Sequence, residues 1–342
     1  MIIRHLKRWQ MKRDNINFKV IKHSDYERLS QSEKEDYLAK YRFWVKNDYK
    51  PQCLTKGATT TAPKLLSPTR KVAEWLVKTC FVSRGCEWIV DGLENIPNTT
   101  CLFAHTHQGV LDGFVSIPYV KQRCIVLHSD YCNKGLILAQ LNTGLILINK
   151  ADLKCKANSK LDAIHLLSTG FSLAWFPEGA WNLSPNKLHL PMSYGFLDAA
   201  RIAKVPVIPA CHEYSYEIKD GVAKITKIHT KFASPMIIND DDNLRVRFSE
   251  YTQIISTLRY EMIEEKGLFQ RSLVDDSEYI TVLNKQIKDL KFGNIPLARE
   301  RKYIFGADNV FYEDHFINEV EYRDGKLLPH PQKFVPSEWQ EK

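Results

Sequence analysis

Apolar residues along this chain come in short runs bounded by turn-forming residues. Six of them read as strands: "CEWIVDGL" (86–93), "TCLFAHT" (100–106), "RCIVLHS" (123–129), "GLILIN" (144–149), "FSLAWF" (171–176) and "VPVIPACHE" (205–213). Between them, "KANSKLDAIHLLSTG" (156–170) and "SYGFLDAARIAK" (193–204) are each long enough for two or three helical turns. Strands alternating with helices predict an α/β fold, a mixed and largely parallel sheet flanked by helices.

The flanks read differently. "SQSEKEDYLAKYRFWVKNDYK" predicts a helix opened by a capping box from Ser32 to Glu35. A turn-rich link, "PQCLTKGATTTAPKLLSP", follows, and Ser67 with Pro68 then opens a helix over "TRKVAEWLVKTCFV". Beyond residue 250, "YTQIISTLRYEMIEEK" and "SEYITVLNKQIKDLK" are amphipathic. The expected organisation is a basic, helical extension over 1–66, a central domain over 67–250, and a helical, loop-rich extension over 251–342 that packs on the domain without carrying its chemistry.

Charge sharpens this picture. The net charge of +8 suits anionic partners such as phosphorylated substrates or membrane surfaces. The basic residues are not gathered into one stripe with interleaved aromatics, which argues against nucleic acid. In the opening "MIIRHLKRWQMKR", Ile2, Ile3, Leu6 and Trp9 share a side, with Arg4, Lys7, Arg8 and Lys12 largely opposite. Such a segment either lies on an anionic membrane or docks on its own domain. The longest apolar run, "GLILAQLNTGLILI", is interrupted by Gln140, Asn142 and Thr143 and falls short of the roughly 20 residues a span requires, so no membrane-crossing helix is expected. The 8 cysteines form no CxxC pair and no secretory signal is read, so reduced thiols and a cytoplasmic setting are expected.

The candidate chemistry lies in "FAHTHQGVLDGF", residues 103–114. On an unbroken helix His107 and Asp112 would stand roughly 140° apart, so they meet only if the chain turns between them. Gly109 permits such a turn, and "LDGFVSIPYV" then begins a helix. If joined, Asp112 fixes the imidazole tautomer and leaves the other ring nitrogen as a base. Two other readings stand beside this one: a metal site built on His105, His107 and Asp112 with a later His128, His165 or His212, or polar residues satisfied within a turn.

Further along, "GLILINK" ends in Lys150, "AWFPEGAWN" holds Pro177, Glu178 and Gly179, and "VPVIPA" begins at Val205. In order, "HQGVLD", "GLILINK", "FPEG" and "VPVIP" resemble the four blocks of the glycerolipid (lysophospholipid) acyltransferase, or PlsC-like, family, and "GLENIP" resembles its entry to the first block. The resemblance covers about residues 67–215. It implies an acyltransferase fold and transfer of a fatty acyl group from acyl-CoA or acyl carrier protein to a hydroxyl, at the cytoplasmic face of a membrane. His107 is then the general base and Asp112 its orienter. Glu178 and Gly179 help bind the acceptor, Lys150 holds an anionic group such as phosphate, and no cofactor is needed beyond the thioester. Consistently, there is no GxSxG elbow around Ser172.

The departures are specific. Thr106 stands where the family usually has Asn, Lys150 where it has Arg, and Ala180-Trp181 where it has Thr-Arg. The last removes a phosphate-holding cation, so Trp181 is expected to stack on a sugar or apolar group, or to pack, with Lys187 a substitute charge from the following loop. A metal-dependent hydrolase and a lipid-binding protein without activity remain the alternatives.

Overall fold

The structure is a computed structural model. It describes residues 18–265 apart from 56–57, 59–61, 65–66, 84, 110, 122–123, 130–143, 150–151 and 183–187, together with 281, 285, 322–323 and 326–327. The basic opening segment, Lys150, Lys187 and most of "SEYITVLNKQIKDLK" lie outside the described residues.

A 7-stranded sheet forms the centre. Its strands are β1 (Glu87–Asp91), β2 (Leu102–His105), β3 (Cys124–Ser129), β4 (Leu145–Ile148), β5 (Ser172–Trp175), β6 (Val207–Lys219) and β7 (Val222–Phe232), in the order β1-β7-β6-β2-β5-β3-β4. Every neighbouring pair is parallel except the β6–β7 hairpin. All six expected strands are present. The seventh, β7, was not anticipated, although Asp220-Gly221 between two alternating runs is a hairpin signal. Both residues have positive φ, 52° and 70°, as a tight hairpin turn requires.

Helices α1 (His23–Glu27), α2 (Gln31–Asn47), α3 (Ser67–Ser83), α4 (Leu153–Ser168), α5 (Gly195–Ala203) and α6 (Leu244–Glu265) accompany the central sheet, and Tyr322–Arg323 pairs with Lys326–Leu327 in a separate 2-stranded sheet. β2 is buried throughout and sits between β5 and β6, so its alternating side chains feed two cores. Leu102 and Ala104 pack with Leu38 and Tyr41 of α2, Ile164 of α4, Leu197 of α5 and Tyr251 of α6. Phe103 packs with Val77 and Phe81 of α3 and with Leu111 and Val115. Three layers result, with the carboxyl end of β2 opening into the loop that carries His107.

Three boundaries differ from the sequence reading. The capping box lies at Ser30 and Glu33 rather than Ser32 and Glu35: Glu33 N–H reaches Ser30 Oγ at 3.4 Å and Ser30 N–H reaches Glu33 Oε2 at 2.8 Å. Both registers satisfy the S-x-x-E pattern, and the earlier one adds two residues to the helix. The described part of the 1–66 segment, from residue 18 on, is not separate from the domain. α2 belongs to the main core, and Leu54 bridges Ile146 at the outer edge of β4, covering a strand that would otherwise expose unpaired backbone. Asp162 of α4 fastens this link, accepting from Tyr49 Oη at 2.6 Å and from Cys53 N–H at 2.6 Å. Finally, α6 crosses residue 250 without a break and buries Tyr251, Ile255, Met262 and Ile263, so the proposed division there falls inside one core helix.

Candidate active site

After His105 the chain leaves the sheet as Thr106-His107-Gln108-Gly109. Thr106 N–H still bonds Ala210 O at 3.0 Å, and its hydroxyl accepts His212 N–H at 2.9 Å. The peptide of His107 is clamped from both sides by the loop after β5: its N–H donates to Glu178 Oε1 at 2.8 Å, and its carbonyl accepts Asn182 N–H at 2.6 Å. Gly179, at φ 61°, makes the tight turn that brings this loop back, with its N–H on Phe176 O at 2.9 Å.

Glu178 has no exposed surface, and its second oxygen accepts Leu190 N–H at 2.9 Å. Glu178 thus braces the loop, each carboxylate oxygen holding a backbone amide. Trp181 is buried with its ring edge-on to His107 at 5.9 Å, and Phe176 stacks on the imidazole at 4.3 Å. Two aromatic walls thus fix the ring plane of His107.

His107 and Asp112 meet: Nδ1 lies 2.9 Å from Asp112 Oδ2. The expected helix over "LDGFVSIPYV" is replaced by two short 3₁₀ turns, Asp112–Phe114 and Ile117–Tyr119, the second carrying Pro118 in its opening positions. The first turn returns Asp112 toward its own loop, where Oδ2 also accepts Gln108 N–H at 2.6 Å and Gly109 N–H at 2.9 Å. Gly109 does not have a positive φ. It is needed for space instead: a Cβ there would lie 2.4 Å from the Tyr214 ring.

Asp112 is completely buried, and burial alone would raise its pKa. The hydrogen bond from His107 and the fields of His212 and His107, with a smaller part from the Tyr214 Oη bond at 2.5 Å, outweigh this and hold the carboxyl at about 2. An ionised carboxylate at Nδ1 leaves Nε2 as the ring nitrogen for a substrate. The side chain of His107 is 22% exposed whereas that of Asp112 is 0% exposed, so the imidazole is the reachable member of the pair.

His105 takes no part in this dyad. Its Nε2 lies 2.6 Å from Ser116 Oγ and its Nδ1 3.0 Å from His212 Nε2, while His212 Nδ1 lies 3.1 Å from Thr230 Oγ1. The metal reading needs His105 to aim a lone pair at the same point as His107 and Asp112, and both its nitrogens are already engaged. His165 is bonded to Val45 O at 2.7 Å, and among the described residues no group of three or more His, Cys, Asp and Glu is arranged to hold a metal.

The His105–His212 pair has a consequence for stability. Phe103, Phe176 and Phe232 surround it, and Asp112 and His107 act on it through their fields. Burial lowers both imidazoles, His212 to about 4 and His105 well below its ordinary 6.5. The unfolded chain therefore binds protons that the folded chain refuses between pH 6.5 and about 4. Stability is fully present above pH 6.5 and is lost as pH falls through that window, at about 1.4 kcal/mol per unit of separation. Urea denaturation at pH 7.5 and pH 5 is expected to show lower stability at pH 5; equal midpoints would contradict this.

A second buried group lies beside the dyad. Glu213 Oε2 accepts Gln108 Nε2 at 3.3 Å and Arg259 Nε at 3.3 Å, and Arg259 also donates to Leu188 O at 2.7 Å. α6 therefore reaches the residue next to His107 and the loop that follows Trp181. Sequence reasoning missed Gln108, Glu213, Tyr214 and Arg259. "CHEY" directly after "VPVIPA" was the available signal, four chemistry-bearing residues where a strand continues from the fourth block.

Residues 87–213 match the family model described as Acyltransferase. The matched residues run from β1 into β6, so the family region contains the dyad, the bracing loop and the strand that supports them. Similar solved structures include the crystal structure of the 1-acyl-sn-glycerophosphate acyltransferase PlsC from Thermotoga maritima, at 20% identity and a TM-score of 0.43, covering 58% of this chain and 79% of that one. No curated protein matches at a significant level.

Proposed function

We propose that this chain is an O-acyltransferase that moves a fatty acyl group from an acyl thioester, on coenzyme A or a carrier protein, to a hydroxyl of a glycerolipid-like acceptor. The observation that carries the reading is the 2.9 Å contact between His107 Nδ1 and Asp112 Oδ2 inside an acyltransferase-family segment. In this mechanism the acceptor oxygen attacks the thioester carbonyl carbon as His107 Nε2 takes its proton. The tetrahedral intermediate expels the thiolate by breaking the C–S bond, and the imidazolium returns the proton to sulfur. No enzyme nucleophile is required, because the thioester is already activated. Asp112 stays ionised, holds the tautomer and stabilises the transient imidazolium. The aromatic walls Phe176 and Trp181 and the small Ala180 favour an acceptor whose reacting end is uncharged.

Thiol release measured with acyl-CoA and acyl carrier protein donors, against phosphorylated and unphosphorylated acceptors, tests the reading. Turnover is expected with a hydroxyl acceptor and no added metal. Release that occurs only with water, or none against the whole panel, would overturn it.

A membrane face is the proposed place of action. No helix among the described residues is long and apolar enough to cross a bilayer. α3 nevertheless exposes Val72 (56%), Trp75 (63%) and Leu76 (55%) at helical spacing, with Lys71 and Lys78 alongside and Val77 and Phe81 buried opposite. Trp75→Glu is expected to weaken binding to phosphatidylserine-containing vesicles about tenfold or more by flotation, since it places a carboxylate where an indole would insert. Unchanged binding would remove α3 from the membrane contact.

A further inference from the structure

We propose that Tyr214 is a positioning residue of the acyl-transfer site, tying the Asp112 carboxylate to the central sheet so that the imidazole is held at one angle. This rests on the reading of His107 as the base. Tyr214 lies one residue beyond the family-matched segment, so nothing in that match assigns it.

The geometry separates the two carboxylate oxygens by origin. Oδ2 receives His107 Nδ1, Gln108 N–H and Gly109 N–H, three donors from the loop that Asp112 itself closes. These bonds define the loop internally, but they move with it. Oδ1 receives Tyr214 Oη at 2.5 Å, and Tyr214 stands on β6, paired with Ile228 of β7 in the sheet. A carboxylate held at one oxygen can swing about its Cβ–Cγ bond, whereas one held at both has its plane fixed. Thr106 and Gln108 already tie the backbone and flank of this loop to β6; the phenol adds a tie to the same strand at the carboxylate itself.

Gly109 supports the same assignment independently. The atoms nearest to a Cβ built at Gly109 are all of Tyr214: Cε2 at 2.4 Å, Cζ at 2.9 Å and Oη at 3.0 Å. Gly109 is not in a left-handed conformation, so the glycine keeps the site open for this ring rather than serving the turn. Tyr214 is 5% exposed and holds Oδ1, the carboxylate oxygen that His107 does not touch. It acts through Asp112 and not on substrate.

Tyr214→Phe in the full chain tests the inference by thiol release. Expected are a kcat lower by about tenfold, as for loss of one hydrogen bond to a charged group, and both KM values within about twofold. The acid limb of the pH profile should also move to higher pH, because charge no longer shared with the phenol falls on the imidazole. Gly109→Ala displaces the ring but keeps the hydroxyl, and is expected to give the same kcat-against-KM signature, so it carries the test if Tyr214→Phe folds poorly. In an Asp112→Asn background Tyr214→Phe should add less than about twofold, since the contact it removes is with that carboxylate. An unmoved pH profile, a loss confined to KM, or an equal loss in the Asp112→Asn background would overturn the assignment. An inactive His107→Ala beside a fully active Tyr214→Phe removes Tyr214 alone; an active His107→Ala removes the underlying base reading.

Discussion

His107→Ala is expected to slow acyl transfer by about 10² to 10⁴-fold, the range that a positioned general base contributes. The fold should survive. The side chain is partly exposed, and its removal leaves Asp112 with Gln108 N–H, Gly109 N–H and Tyr214 Oη. Circular dichroism and the melting temperature should therefore stay close to those of the parent while thiol release falls. The comparison with Asp112→Asn is informative. Asparagine keeps the shape, yet it cannot accept with both terminal atoms, and one must face a donor. That variant should lose stability as well as rate. Treatment with a chelator separates the dyad from a metal site built on the same histidine: activity should be unaffected. A well-folded His107→Ala that still turns over at the parental rate would end the base assignment.

Arg259→Met carries the largest expected effect on stability. Arg259 and Glu213 are 5% and 9% exposed as side chains, and removing the guanidinium leaves a buried carboxylate without its counter-charge. Breaking one side of such a pair typically costs about 3 to 5 kcal/mol. In a domain of this size that corresponds to a fall in melting temperature on the order of 10 °C. Because Glu213 also receives Gln108 Nε2, and Arg259 also holds Leu188 O, activity should decline at temperatures where the protein is still folded. Replacing both partners, Glu213→Leu with Arg259→Met, should recover most of the lost stability, as apolar replacements of buried pairs often do. A single variant within about 1 kcal/mol of the parent, or a double variant no better than the single, would show that the pair matters little.

The two outcomes bear on different parts of what the sequence made legible. The dyad was readable because its members are five residues apart and a local turn suffices to join them. The bracing role of Glu178 was half readable: its loop was marked by Pro177 and Gly179, but a carboxylate on backbone amides looks in sequence like one offered to a substrate. The capping box slipped by two residues because Ser30-Glu33 and Ser32-Glu35 fit one pattern equally well. β7 was overlooked despite its Asp-Gly hairpin turn, and the boundary near 250 was misplaced because nothing local in α6 distinguishes a core helix from a tail.

By itself the sequence determined the alternation of strands and helices, the four ordered blocks, and the candidate pairing of His107 with Asp112. Local periodicity and turn chemistry carry that information over stretches of ten residues or fewer. The tertiary structure alone decided what surrounds the dyad. Tyr214 meets Asp112 across 102 positions and Arg259 meets Glu213 across 46, contacts set by which strands pair and in what register. The order β6-β2-β5 also placed Phe176 and Glu178, in the loop after β5, against the loop at His107. Side-chain type is a local property, whereas the partner that a buried polar group finds depends on the whole sheet.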